Sequence, residues 1–431
     1  MILSDDSKAI ILLCSNFIIA NKIPDAPKPF TLKEWDILSR KLKDSLLLRP
    51  SAFFKTTPDE WRRHLNLTDI QVERIQRLLA QGGQLAVEMN RLESLGIWVT
   101  TRAEPNYPTK LKKTLRFKSP VVLYGAGDLS IVNTDSIAIV GSRDVDEVGA
   151  EFTRKLAIKC ALEHLIIVSG GSRGVDMEAQ NAAISMGGNV VAVLSDGLES
   201  KIRQRDIRNS ITSGNLVLIS AWHPKARFTA YSAMERNKHI YALSKFAVVV
   251  SSAENKGGTW GGATENLKAG WVPLFVRSGL NTPPGNSRLI ELGGNSINNE
   301  VVMDKNTRLI DWFDENQQKL SKRKPTNNDE KIIDRNTQVK LNFENTDSSI
   351  EKFSSKNPHL YDLFYISWLY LKQALVIPQT EEDLARLFNI NVYQVRDWLR
   401  RAVKDNKVRK LLNENKYVLA VYNNSKNYGD G

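Results

Sequence analysis

Cysteine, histidine and long apolar runs are all scarce in this sequence, and each scarcity closes off a class of protein. Two cysteines among 431 residues, Cys14 and Cys160, make neither a disulfide framework nor a zinc site, which fits a reducing compartment. His64, His164, His223, His239 and His359 are scattered, with no H-E-x-x-H or Cys/His spacing, so no metal site is expected. No apolar segment is long enough to cross a bilayer. The opening run, Met1 to Ala20, carries Asp5 and Asp6 and no basic leader, so it predicts a buried helix rather than a signal peptide, and a cytoplasmic protein without a membrane partner. The Walker pattern G-x-x-x-x-G-K-[ST] and the G-x-S-x-G elbow are missing too, which leaves no usual P-loop and no hydrolase nucleophile. No catalytic constellation emerges and no cofactor is implied. Asp176 and Asp196 fall at strand ends, and Asp176 is already explained as a helix N-terminal residue.

What is present is basic charge on a globular composition. With 42% hydrophobic residues the chain can bury large cores, and its length suits two or three domains. A formal charge of +12 favours a polyanionic partner such as nucleic acid, or else an evenly spread, solubilising excess of lysine.

The stretch that organises the chain runs from Ile137 to Asp176. Two short β-branched runs, Ile137–Val140 and Leu165–Val168, each end in small residues, an arginine and a new helix: Gly141-Ser142-Arg143 and Ser169-Gly170-Gly171-Ser172-Arg173-Gly174. Buried parallel strands feed ligand-facing turns in this way. Glycine lets backbone approach a ligand, helix N-termini offer free N–H groups, and Arg143 and Arg173 add charge, so an anion, most simply a phosphate, is the expected ligand. From Ser136 to about Gly294 strands and helices alternate, with strands at Ser136–Val140, Leu165–Val168, Asn189–Leu194, Leu216–Ile219, Phe246–Ser251 and Val272–Val276. That pattern predicts an α/β, doubly wound, mainly parallel sheet of extended Rossmann type, with its ligand outside the strand C-termini. Lys256-Gly257-Gly258-Thr259, in a glycine loop before a helix expected near Ala263, forms another anion site there, and Arg236-Asn237-Lys238 can reach the same rim from its helix. The strict G-x-G-x-x-G fingerprint is absent and no acidic residue ends the second strand, which argues against an NAD-dependent dehydrogenase.

Residues 1–96 read as short helices with capping boxes at Thr31-Glu34 and Thr68-Gln71 and a proline start at Thr57-Pro58, a small bundle of the SAM or helix-hairpin-helix kind. Residues 97–313 hold the Rossmann domain with its lead-in, and the polar stretch 314–358 reads as a flexible linker. Residues 359–424 predict a helix (Tyr361 to Leu371), a Thr380-capped helix, a turn, a third helix capped by Asn391, and a hairpin: a winged helix-turn-helix. Its third helix carries Arg396, Arg400, Arg401 and Lys404 as DNA contacts, with Val395, Trp398, Leu399 and Val403 toward the core. Such a domain serves DNA or protein partners.

Taken in order, Ile139-Val-Gly-Ser-Arg143, Ser169 to Asp176, Val191 to Leu194 with Gly197, Arg236-Asn237-Lys238 with Leu243-Ser244, and Gly285 to Ile290 with Gly293-Gly294 resemble the DNA-processing protein A (DprA/Smf) family, over roughly Tyr107 to Gly294. The resemblance implies a Rossmann core of the SLOG/LOG-like superfamily that binds single-stranded DNA, forms a homodimer, hands DNA to a RecA-type recombinase and catalyses nothing. Gln180, Ala221, Lys238 and the Gly257-Gly258-Thr259 run depart from the family's usual residues and mark a distant branch. The alternative is a nucleotide-sensing or N-glycoside-cleaving LOG-like protein, in a phage-defence or stress setting, with Glu265 as its reactive group. A third reading is an adaptor whose end domains bind proteins only.

Overall fold

The threonine caps read from the sequence set the first helices in place. The computed structural model describes residues 3–15, 27–321, 368, 371–372, 374–388, 392–411 and 415–420. It opens with α1 (Asp5–Cys14), α2 (Leu32–Lys43), α3 (Pro58–Leu65), α4 (Asp69–Leu79) and α5 (Gly82–Ser94). Thr31, Thr57 and Thr68 each close a full capping box, the side chain accepting from N3 while the N3 carboxylate or amide accepts from the cap. Each helix then turns one apolar stripe inward, Trp35, Leu38 and Leu42 on α2 and Val72, Ile75 and Leu78 on α4.

The chain continues through β1 (Trp98–Thr101), α6 (Thr109–Leu115) and β2 (Val122–Ala126) into alternating strands and helices. These are β3 (Ser136–Val140), α7 (Glu147–Leu162), β4 (Ile166–Ser169), α8 (Val175–Ser185), β5 (Val190–Leu194), α9 (Leu198–Ile202), α10 (Arg205–Thr212), β6 (Leu216–Ser220) and α11 (Ala230–Leu243). Then follow β7 (Phe246–Val249), α12 (Gly257–Ala269), β8 (Leu274–Arg277), α13 (Pro284–Glu291), β9 (Asn295–Ile297), α14 (Asn299–Met303) and α15 (Leu309–Ser321). The strand order is β1-β2-β6-β5-β4-β3-β7-β8-β9. Pairing is parallel from β6 through β9, and antiparallel where β2 meets β1 and β6. The expected mainly parallel α/β sheet is present.

Period-2 alternation assigns the two faces of each strand. Ile137 and Ile139 join a core shared with the N-terminal helices, whereas Ala138 and Val140 face a second core against α6, α11 and α12. The helix α15 corrects the expected linker, which was to begin at Asp314. Phe313 is fully buried, with its ring 5.1 Å from Phe246 and 4.5 Å from Phe275, and this packing carries the helix on to Ser321. The helix expected near Ala263 starts instead at Gly257.

The chain divides into two compact units, Met1–Glu330 and Lys331–Gly431. In the second, α16 (Glu381–Phe388), α17 (Val392–Lys404) and the antiparallel pair β10 (Val408–Leu411) and β11 (Lys416–Leu419) enclose Leu384, Val395, Leu399 and Val408. The Oγ1 of Thr380 accepts from the Asp383 amide at 3.1 Å, the expected cap. Val403 is exposed rather than in the core, because Ala402 takes the inward position beside it. The Asn391 cap and most of the Tyr361 to Leu371 helix lie outside the described residues.

Candidate functional site

The sheet order reverses between β3 and β7, and side chains and turns at their carboxyl ends leave a cleft of about 500 Å³. One wall is polar, built from Gly141-Ser142-Arg143 after β3 and Lys256-Gly257-Gly258-Thr259 at the start of α12. The facing wall is apolar, with Phe228, Ala230, Ala233 and Met234 from α11 and the loop before it. Two backbone bonds fix the turns: the Ser142 amide donates to the Ser251 carbonyl at 2.8 Å, and the Val175 amide to the Ser142 carbonyl at 3.2 Å.

The glycines of the two early turns do not open the backbone to a ligand, as the sequence reading expected. A Cβ on Gly141 would stand 2.5 Å from Val175 Cγ2, and one on Gly170 would stand 2.6 Å from both the Arg236 Cζ and an Asp176 carboxylate oxygen. Gly174 has φ +77°, and a Cβ there would overlap the carbonyls of Ser142 and Arg143. These residues are glycine so that strand, turn and helix can pack. Gly257, at φ +79°, and Gly261 meet nothing within 4 Å.

Of the residues expected at the site, Gly141, Ser142, Arg143, Arg236, Asn237, Gly257, Gly258 and Thr259 come together on the cleft. Arg143 is exposed, with no ion-pair partner among the described residues. Asn237 Nδ2 donates to the Gly258 carbonyl at 3.0 Å, tying α11 to α12. Arg236 lies on the floor, 5% exposed; one N–H reaches the Val193 carbonyl at 3.2 Å and Nε has no partner. Burial pulls its guanidinium below the usual arginine range, while the nearby Asp176 opposes the shift; burial likewise pushes the Asp176 carboxyl up.

The remaining expectations fall elsewhere. Ser169, Gly170, Gly171 and Gly174 sit behind the lining, and Ser169 is fully buried. Arg173 is not in the lining itself but pairs with Asp144 of the cleft wall at 3.1 Å. Lys238 is held by Glu235 at 2.7 Å and Glu265 at 3.6 Å, so it is turned toward α12 and not into the cleft. On α17, Arg396 pairs with Glu381 at 2.6 Å, and Arg400, Arg401 and Lys404 are exposed. Lys256 lines the cleft with the glycine run it was read with, whereas Phe228, Met234 and Asp176 line it without having been expected there. Lys256 was legible as the cation ahead of a glycine-rich helix start, whereas Phe228, in a loop, belongs to no periodic pattern. Among the described residues no group of His, Cys, Asp and Glu could hold a metal ion, and no helix is long and apolar enough to cross a membrane.

A family model described as DNA recombination-mediator protein A matches residues 98–304. The chain is similar to the DNA processing protein DprA of Streptococcus pneumoniae, 31% identical over 156 residues, which is 36% of this chain and 53% of that protein. The match therefore spans about half the length of that relative. The X-ray structure of DprA from S. pneumoniae is 21% identical, with a TM-score of 0.47 over 62% of this chain and 95% of that one. A structure of DNA processing protein A from Helicobacter pylori, described for its single-stranded DNA binding mode, is 26% identical, with a TM-score of 0.40 over 46% of this chain and 90% of that one.

Proposed function

We propose, because this chain belongs to the DprA/Smf family of DNA-processing proteins, that it binds single-stranded DNA by the backbone at the β3–β7 cleft. The observation that carries this reading is the cleft mouth, where Arg143 and Lys256 are both exposed cations without ion-pair partners among the described residues. The exposed Lys225 and Arg227 extend the basic surface along the loop before α11, which is anchored by the Gly197 amide on the Ala226 carbonyl at 2.9 Å. A cationic track beside an apolar wall suits unpaired nucleotides, whose phosphates and base faces are both accessible. A duplex keeps its bases stacked away from such a wall.

Through the family alone, the reading extends to a RecA-type recombinase as partner and to a homodimer. The order of helix, helix and hairpin in the second unit supports a winged helix-turn-helix, with Arg400, Arg401 and Lys404 as a further DNA contact. The N-terminal helices fit a small SAM-like or helix-hairpin-helix module. The LOG-like enzymatic alternative loses its support at Glu265, which pairs with Lys238 and does not line the cleft.

A salt titration of labelled oligothymidine, single-stranded against double-stranded at equal length, tests the reading. Tight single-strand binding that falls steeply with salt is expected. No binding at low salt would end it.

A further inference from the structure

The loop that carries Lys225 and Arg227 to the cleft is held from outside the Rossmann domain. His223, two residues before Lys225, is buried beneath its own loop. Its Nδ1 accepts from the Lys225 amide at 3.2 Å, and its carbonyl accepts from the Ala226 amide at 2.7 Å. Burial pulls the imidazole below its usual pKa in spite of the Glu88 carboxylate, so the ring is neutral near pH 7; with Nδ1 accepting, its one N–H is on Nε2. That N–H points at Glu88 of α5, 3.2 Å away, while Tyr124 meets the ring edge-on at 5.9 Å between centroids. Glu88 is fixed in turn by Arg91, which donates to both of its oxygens at 2.7 and 2.8 Å. Another Arg91 N–H reaches Glu199 of α9 at 3.0 Å, and the Glu199 amide donates to the Pro224 carbonyl at 3.0 Å. The helix α5 therefore reaches the loop twice, through the His223 ring and through α9.

We infer that Glu88 and Arg91 are positioning residues for single-strand binding: from the N-terminal bundle they fix the loop that presents Lys225 and Arg227 to the DNA backbone. This rests on the DNA-binding reading above and deepens it, giving the N-terminal helices a part in binding without contact with DNA. Lys225 and Arg227 are exposed and have no ion-pair partner among the described residues, so the backbone beneath them is what sets where their charges lie. A loop held in place beforehand spares the complex the entropy of ordering it. Cutting the α5 hold leaves the buried His223 Nε2–H without its acceptor, and a ring that turns to find another gives up the Lys225 amide.

The test uses the full chain and labelled oligothymidine across a salt series, with thermal unfolding to show that each variant is folded. Glu88→Ala with Arg91→Ala should weaken binding about tenfold and flatten the log–log salt slope by about 1.4, the share of two single-strand phosphate contacts. Glu88→Gln, which keeps an oxygen for the His223 Nε2–H, should retain most of the affinity. Lys225→Ala with Arg227→Ala should bind as weakly as the α5 pair, and combining the two pairs should cost little more, since both act on the same contacts. A folded α5 pair with the parent's affinity and slope overturns the inference, and so do additive losses, which would place its effect elsewhere. Should the α5 pair not fold, His223→Asn takes its place: Asn still accepts from the Lys225 amide but is too short to reach Glu88, so binding should fall about threefold. Parental binding by that variant overturns the inference equally. If Arg143→Glu with Lys256→Glu weakens binding while the loop and α5 variants do not, the cleft reading stands and this one falls. A parent chain that binds no strand at low salt overturns both.

Discussion

Two glycine-rich segments border the same cleft, and they are glycine for opposite reasons. In the turns after β3 and β4, Gly141, Gly170 and Gly174 are filled from behind by Val175, by Arg236 with Asp176, and by the carbonyls of Ser142 and Arg143. At the start of α12, Gly257 and Gly261 border empty space. The first set lets the protein approach itself, whereas Gly257 and Gly261 have open space beside them, although their neighbour Gly262 is again a close approach, to Tyr241 and Asn237. Glycine in a motif marks a close approach without saying by what.

The comparison breaks most readily at Gly174. Gly174→Ala should cost about 4 kcal/mol, from left-side φ strain together with overlap on two backbone carbonyls. Urea unfolding checks this, and a variant as stable as the parent would mean the turn is loosely packed. Next comes charge. Arg143→Glu with Lys256→Glu should weaken single-strand binding by about 3 kcal/mol at low salt and flatten the salt dependence. Arg173→Glu with Lys238→Glu should cost less, because Asp144, Glu235 and Glu265 already occupy those cations. If the second pair costs more, DNA runs outside the cleft.

The α11 wall carries a pH test. Burial, with the neighbouring cations Lys238 and Arg236, pulls the His239 imidazole from 6.5 down to about 3. The unfolded chain therefore takes up this proton first, so stability holds above about pH 6.5 and falls as pH drops toward about 3, by at most about 1.4 kcal/mol per pH unit. In His239→Gln that acid slope should be shallower in denaturant melts across pH 3 to 7; an unchanged slope would assign it to other groups. The smallest effect should be a gain: Gly261→Ala, inside α12 with nothing near its Cβ, should stabilise by about 0.5 to 1 kcal/mol in thermal unfolding. A loss there would reveal an unseen close contact.

Local features were the legible ones. The β3 strand was read at its observed bounds, and all three early caps were visible, because each depends on residues a few positions apart. The polar wall was partly legible for the same reason. What escaped depends on distant partners. Nothing around Arg236 announces that α11 is buried deep enough to leave it 5% exposed. Glu235 stood three residues from Lys238, but Glu265 reaches it only through the packing of α11 on α12. The polar composition after Phe313 read as a linker because the rings that hold α15, Phe246 and Phe275, lie far back in the chain.

The antiparallel lodging of β2 beside β6 bears on how the chain is made. Tyr124 is opposite Ser220, and the hydroxyl of Tyr124 also meets that of Ser15, so the N-terminal helices are fastened to a strand whose inner neighbour emerges from the ribosome much later. Until β6 arrives, β2 has only β1 as a partner and presents a bare hydrogen-bonding edge. The nascent first half of this unit is therefore the interval in which it is most open to mispairing and to chaperones, and slowing translation between β2 and β6 should lower its yield more than slowing it after β7.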